Sequence, residues 1–340
     1  THTRYLHENV VTLAERLTAK LPDGLDTAMF CCTGSEANEL ALRIARRCTG
    51  GTGIIVTDFS YHGNTQAIHE ISTDTIPAAD VPDYVVTVPA PDTYRGRHQG
   101  DDAGRRYAEY ARAAIATLEQ RGIKLAALVI DTIVSSSGVV APPVGYLGAV
   151  AEIVRDAGGL FIADEVQPGF GRTGRNFWGF EADGLVPDIV TMGKPMGNGH
   201  PLSAVVARSE LVREFAKHGR YFNTFGGNPV SCAAGLAVLD VIEDERLQQN
   251  ALDVGTHLCD GLHTLAETHE CIGDVRGSGL FLGVELVSSR SGRTPATELT
   301  ADVVNRLRDQ GVLTGSIGPA DNILKLRSPL VLSKDDADYF

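Results

Sequence analysis

The period of the apolar positions changes along the chain. Val10, Leu13, Leu17 and Leu21 recur at helical spacing and predict an amphipathic helix over 8–21. Short apolar runs then alternate with helical stretches. Strands are predicted at 27–32 (TAMFCC), 53–57, 83–88, 125–131, 159–164, 188–192 and 202–207, with helices over 35–47, 103–121 and 146–157. This alternation predicts an α/β fold in which helices flank both faces of a mostly parallel sheet. Such sheets place ligands beyond the carboxyl ends of their strands. After about residue 228 the alternation fades into a long helical stretch at 229–266, a strand at 279–287, a helix at 297–310 and a strand at 322–330. The expected division is a large domain over 1–240 and a smaller C-terminal α+β domain over 241–340. The polar stretch 89–102 reads as a surface loop, and no internal repeat is visible.

Composition narrows the possible partners. The 340 residues are 43% hydrophobic and 21% charged, which suits a globular protein with a sizeable core. A net charge of −13 argues against nucleic acid and anionic membranes as general partners. None of the six cysteines forms a C-x-x-C pair or a zinc-type spacing with histidine, so no metal site is expected. They read as reduced thiols, and the expected location is the cytoplasm. No apolar run is long enough to span a bilayer, and no signal peptide opens the chain. The helical pattern begins almost at Thr1, which suggests a beginning further upstream.

Three stretches carry chemistry. Thr33, Gly34 and Ser35 stand where a buried strand turns into a helix. That arrangement makes either a phosphate site or a plain capped helix, with Glu36 and Glu39 complementing its dipole. Asp164 ends the run GLFIAD. A carboxylate there is costly without a positive partner, which is either a protonated pyridine nitrogen or an arginine such as Arg172. Lys194 lies two residues past DIVTM, among Gly193, Gly197 and Gly199. Glycines leave room beside an amine that must be partly desolvated to form a Schiff base; the alternative is an ordinary surface lysine. Of the other five lysines, Lys325 fits the surface reading least, because it lies in a strand near Arg327. A phosphate cup, then an aspartate, then a lysine is the set that pyridoxal phosphate requires. The glycine-rich GDVRGSGLFLG (273–283) leads into a strand, the wrong order for a dinucleotide turn.

With these residues in view the chain resembles the class-III pyridoxal-phosphate-dependent aminotransferases of fold type I. The resemblance rests on TGSEAN (33–38), YHG (61–63), ADEVQPGFGRTG (163–174), PDIVTMGKPMGNGHP (187–201), FNTFGGNP (222–229) and VRGSGLFLGVEL (275–286). It implies a seven-stranded-type sheet with a smaller C-terminal α+β domain. It also implies that Lys194 forms the Schiff base and that Asp164 pairs with the ring nitrogen. Gly34 and Ser35 would hold the cofactor phosphate. Tyr61 and Val166 would cover the ring faces, and Gln167 would reach the ring O3′. Thr224 would bind the phosphate of a neighbouring subunit, which makes a homodimer with shared active sites. Arg327 would grip a substrate carboxylate. The resemblance further implies a segment ahead of Thr1 and a helix beyond Phe340.

The expected activity is transfer of an amino group from an amino acid or amine to a 2-oxo acid such as pyruvate or glyoxylate. The alternative is a phospho-lyase acting on phosphoethanolamine or a similar phosphorylated amine, because TMGKPMGNGHP and RTPAT (293–297) resemble the phospho-lyases of the family. Lyase relatives tend to carry lysine where this chain has Arg327, which favours the carboxylate substrate. A third alternative is a chain that binds the cofactor without turnover.

Overall fold

The apolar runs become strands because their residues are covered on both faces. A computed structural model describes residues 2–340. Its first part runs α1 (Glu8–Thr18), β1 (Thr27–Cys31), α2 (Gly34–Thr49), β2 (Gly53–Thr57), α3 (Gln66–His69), β3 (Val85–Val88), α4 (Ala103–Gln120), β4 (Leu125–Asp131), α5 (Tyr146–Asp156), β5 (Leu160–Asp164), β6 (Ile189–Met192), β7 (Ser203–Ala207) and α6 (Ser209–Ala216). The seven strands form one sheet in the order β1-β7-β6-β5-β4-β2-β3. β7 alone runs antiparallel to its neighbours. Alternate residues serve opposite faces. Ile55, Leu128 and Phe161 pack towards α1, α4 and α5. Ile54, Val129 and Ile162 pack towards α2 and α6.

The second part runs α7 (Pro229–Asp244), α8 (Leu247–Thr268), β8 (Ile272–Ser278), β9 (Phe281–Ser289), β10 (Thr294–Pro295), α9 (Thr297–Asp309), β11 (Gly315–Ile317), β12 (Ile323–Leu326) and α10 (Lys334–Tyr339). Its five strands form an antiparallel sheet in which β9 pairs with β8, β10 and β12. The stretch predicted as one helix is two, broken where Arg246 adopts a φ of +52°. The predicted strand 279–287 is the second arm of a hairpin. Its first arm, β8, escapes the sequence pattern because Gly273 and Gly277 interrupt the apolar alternation. The turn residue Gly279 has a φ of +56°, and a Cβ there would lie 2.6 Å from the Arg172 carbonyl oxygen.

Residues 89–102 do form a loop, but it is moored to the second sheet. The Arg95 and Arg293 guanidiniums lie 5.6 and 4.8 Å from the Tyr94 ring centre. Arg95 also bonds Glu285, a fully buried residue of β9 that meets Arg276 Nη1 at 2.7 Å. Among the described residues no helix is long and apolar enough to cross a membrane. No cluster suited to a metal is found there, and the six cysteines are free thiols.

Replacing Glu285 with alanine leaves the buried Arg276 with less compensation and releases Arg95. The expected loss is about 3 kcal/mol, measured by urea unfolding.

Candidate active site

The carboxyl ends of β4, β5 and β6 meet the start of α2, and the chemistry gathers there. Asp164 ends β5, and its carboxylate is only 4% exposed. Its Oδ2 accepts from His62 Nδ1 at 2.7 Å and Asn38 Nδ2 at 2.9 Å, and its Oδ1 accepts from the Val166 N–H at 3.0 Å. Asn38 is fixed in turn by Thr191 Oγ1, which donates to its Oδ1 at 2.6 Å. Glu165 points the other way, as strand alternation requires. It accepts from Thr132 Oγ1 and the N–H groups of Gly179 and Phe180, and burial pushes its carboxyl up to about 7. The expected alternative partner of Asp164, Arg172, is elsewhere: its Nη1 donates to the Ser328 carbonyl at 2.6 Å.

α2 opens with a reciprocal cap. Thr33 Oγ1 accepts from the Glu36 N–H, and Glu36 Oε2 accepts from the N–H groups of Cys32 and Thr33. The cap leaves the N–H groups of Gly34 and Ser35 for another acceptor. Ser35 Oγ is held by Asn64, to which it donates at 3.0 Å. Two glycines shape the space here. A Cβ on Gly34 would lie 2.9 Å from Val166 Cγ1, and one on Gly63 would lie 2.4 Å from Ser35 Oγ. The glycines around Lys194 differ in their surroundings. Gly199 takes a φ of +101° in open space, Gly197 packs against Leu202, and Gly193 makes only ordinary contact with Gly34. They shape the turn after β6, while Gly34 and Gly63 clear the cleft.

Gly34, Ser35, Tyr61, His62, Asp131, Asp164, Val166, Gln167 and Lys194 line a single cavity of about 180 Å³. Burial lowers the Lys194 amine from its ordinary value and Arg327 adds to this, while Asp164 and Asp131 oppose it. Thr224 is exposed and lies outside this lining, in a turn with exposed Phe222 and Phe225. Arg327 is brought in from the second sheet, where its Nη1 donates to Gln167 Oε1 at 2.8 Å.

Several residues close to the site were not singled out in the sequence. Asn38 and His62 stood inside quoted motifs without a role, and Asn64, Asp131 and Ser135 left no signal there. Lys325 was marked only as atypical. Its Nζ donates to the same Gln167 oxygen at 3.1 Å and lies 5.6 Å from the Phe281 ring centre. Burial, helped by Arg327 and Lys194, lowers it to about 8, against Asp131 and Asp74. Arg172 is lowered to about 10 by burial and by Arg327. Two cations therefore share one side of Gln167, with Arg172 near enough to Arg327 to feel its charge.

The sequence profile of the class-III aminotransferases matches residues 1–340. The chain belongs to the class-III aminotransferase family. Members of this pyridoxal-phosphate-dependent family of fold type I share the mixed, mostly parallel seven-stranded sheet flanked by helices. The chain is 46% identical to alanine–glyoxylate aminotransferase 2 homolog 2, mitochondrial, of Arabidopsis thaliana, over 98% of this chain and 69% of that protein. It is 41% identical to ethanolamine-phosphate phospho-lyase homolog 1 of Caenorhabditis elegans, over 98% and 75%. A solved phospholyase from Arthrobacter in complex with phosphoethanolamine superposes with a TM-score of 0.94 at 44% identity, over 99% of this chain and 80% of that one.

The lowered Lys325 gives a stability test. Between its folded value of about 8 and the ordinary 10.5, the unfolded chain binds more protons, so this residue makes stability rise with pH in that window. Lys325→Met in the cofactor-free protein should gain about 1–2 kcal/mol at pH 7, and the gain should fade as pH passes 10. Urea unfolding at both pH values measures it.

Proposed function

We propose that this class-III family member is a pyridoxal-phosphate-dependent phospho-lyase acting on a small phosphorylated primary amine such as phosphoethanolamine. The observation that carries this reading is the meeting of two cations, Lys325 and Arg327, on the amide oxygen of Gln167. A phosphate monoester brings close to two negative charges, and a carboxylate brings one. The likeness to the Arthrobacter phospholyase supports the same choice. The second reading is amino transfer to a 2-oxo acid. It is favoured by Arg327, whose planar guanidinium suits a carboxylate, and by the aminotransferase relative.

The cleft fits the cofactor. The space at Gly34 and Gly63, the N–H groups at the start of α2, the buried carboxylate and the buried amine match its phosphate, ring and aldehyde. When bound, the cofactor supplies an electron sink for the carbon bearing the amine. In our reading Gly34 and Ser35 hold its phosphate and Tyr61 and Val166 cover its ring. Asp164, steadied by His62 and Asn38, faces the ring nitrogen and favours its protonated form. Gln167 lies on the O3′ side. Lys194 holds the cofactor, then takes the proton from the substrate Cα, a task suited to an amine whose burial favours its neutral form. Lys325 and Arg327 hold the substrate's anionic group. In the lyase reading the electron pair of the Cα–H bond would become a double bond to the adjacent carbon, whose C–O bond would break with its electron pair leaving on the phosphate. In the transaminase reading Lys194 returns the proton at C4′ instead.

In the same reading residues 1–240 form the large cofactor-binding domain and residues 241–340 the smaller C-terminal domain. Thr224 serves the cleft of a second copy, consistent with the exposed Phe222, Phe225 and Val230 beside it, which are 59%, 57% and 54% exposed. The mitochondrial relative leaves the cytoplasm as one of two destinations.

Incubating the loaded enzyme with phosphoethanolamine, and separately with alanine plus glyoxylate or pyruvate, tests the reading. Phosphate release without amino transfer is expected. Amino transfer with no phosphate release replaces the lyase by the second reading. Lys194→Ala should lower either turnover by about 1,000-fold or more.

A further inference from the structure

Two aspartates end adjacent strands here, with Asp131 on β4 the Cα partner of Asp164 on β5. Asp164 has a clear task, and Asp131 has none in the reaction as described. Its Oδ1 accepts from the Ile133 N–H at 3.0 Å, and its Oδ2 accepts from the Ser135 N–H at 3.1 Å and also from the Ser135 hydroxyl. Ser135 is wholly buried. A hydroxyl has one proton to give, and here Asp131 takes it. Ser135 Oγ can then only accept, and what it accepts is an Nε2 proton of Gln167.

The far end of the same amide is equally constrained. Gln167 Oε1 faces Lys325 Nζ at 3.1 Å and Arg327 Nη1 at 2.8 Å, and neither cation has an acceptor to offer. The two carboxamide ends look alike in shape, so only the hydrogen-bond partners decide which way the group sits. Turning it over would set its NH₂ against two cations and its carbonyl against a lone pair of Ser135. Asp131, Ser135, Lys325 and Arg327 thus all enforce one orientation. The second Nε2 proton is left for the cleft that Gln167 lines.

We propose that Asp131 and Ser135 are positioning residues: together they lock the Gln167 amide so that its oxygen steadies the Lys325–Arg327 pair while its remaining N–H is presented to the cofactor. Ser135 acts through Gln167 alone, and Asp131, which also lines the cavity, orders Gln167 through Ser135. Asp131 also offsets the positive charge of Lys194, Lys325 and Arg327. The groups facing this chain are those three cations and the carboxylates of Asp164 and Asp74. The proposal holds for either reading of the reaction, since both need an ordered Gln167.

Ser135→Ala tests it, with thermal melting to show that the variant folds. In the cofactor-free protein, the side-chain amide protons of Gln167 are followed by ¹⁵N NMR and assigned with Gln167→Ala. One of the two should exchange slowly in the natural protein and about tenfold faster in Ser135→Ala. In the loaded protein, the pH midpoint of the visible band should rise by about half a unit or more, because a donor facing the ring oxygenate is no longer held in place. Either readout unchanged in a folded Ser135→Ala overturns the proposal.

Discussion

A carboxylate buried at the end of β5 is the constraint around which the rest of the cleft is arranged. Placing Asp164 out of water is unfavourable unless donors replace the lost solvent. His62, Asn38 and the Val166 N–H supply them. Each donor comes from a different element, so satisfying one side chain fixes α2, the 61–63 turn and the start of the 165–174 segment against the sheet. Thr191, one strand over, closes the set through Asn38. Lys194 lies two residues past the end of β6 and so reaches the same cleft.

The two strand-end aspartates divide the work by what stands behind them. Asp164 is backed by an imidazole and a carboxamide and faces the cavity where a ring would lie. Asp131 is backed by its own turn and acts sideways, through Ser135, on Gln167. Lys325 and Arg327 already share the oxygen of the Gln167 amide. An anion bound by them, as proposed above, would exchange that contact for its own, and part of its binding energy would go into replacing an existing bond.

Much of this was legible in the sequence. The large sheet follows from continuous apolar runs, because a strand covered on both faces needs no polar alternation. Asp164 and Lys194 were visible because a charged residue closing such a run is unusual. Other parts were hidden for identifiable reasons. β8 carries two glycines inside a strand, and the break at Arg246 is a backbone conformation without a sequence signal. Asn38 stood inside the motif TGSEAN without a role, because only the tertiary fold sets it against Asp164. The need for glycine at Gly34 and Gly63 was also hidden, since the crowding there arises from contacts distant in sequence. Lys325 drew notice, but its pairing with Gln167 joins residues 158 positions apart.

The mooring of residues 89–102 has a consequence for how such a chain can vary. Glu285, which anchors the loop through Arg95, is the register partner of Ile323, and the neighbouring Gly283 faces Lys325 across the same pair of strands. The loop is therefore joined, two residues of backbone away, to the strand that carries Lys325 and Arg327 to Gln167. Surface loops ordinarily accept insertions and exchanges freely. This one is tied to a buried charge, so an exchange at its outer edge would be felt in the packing around Gln167 without altering any residue that lines the cleft.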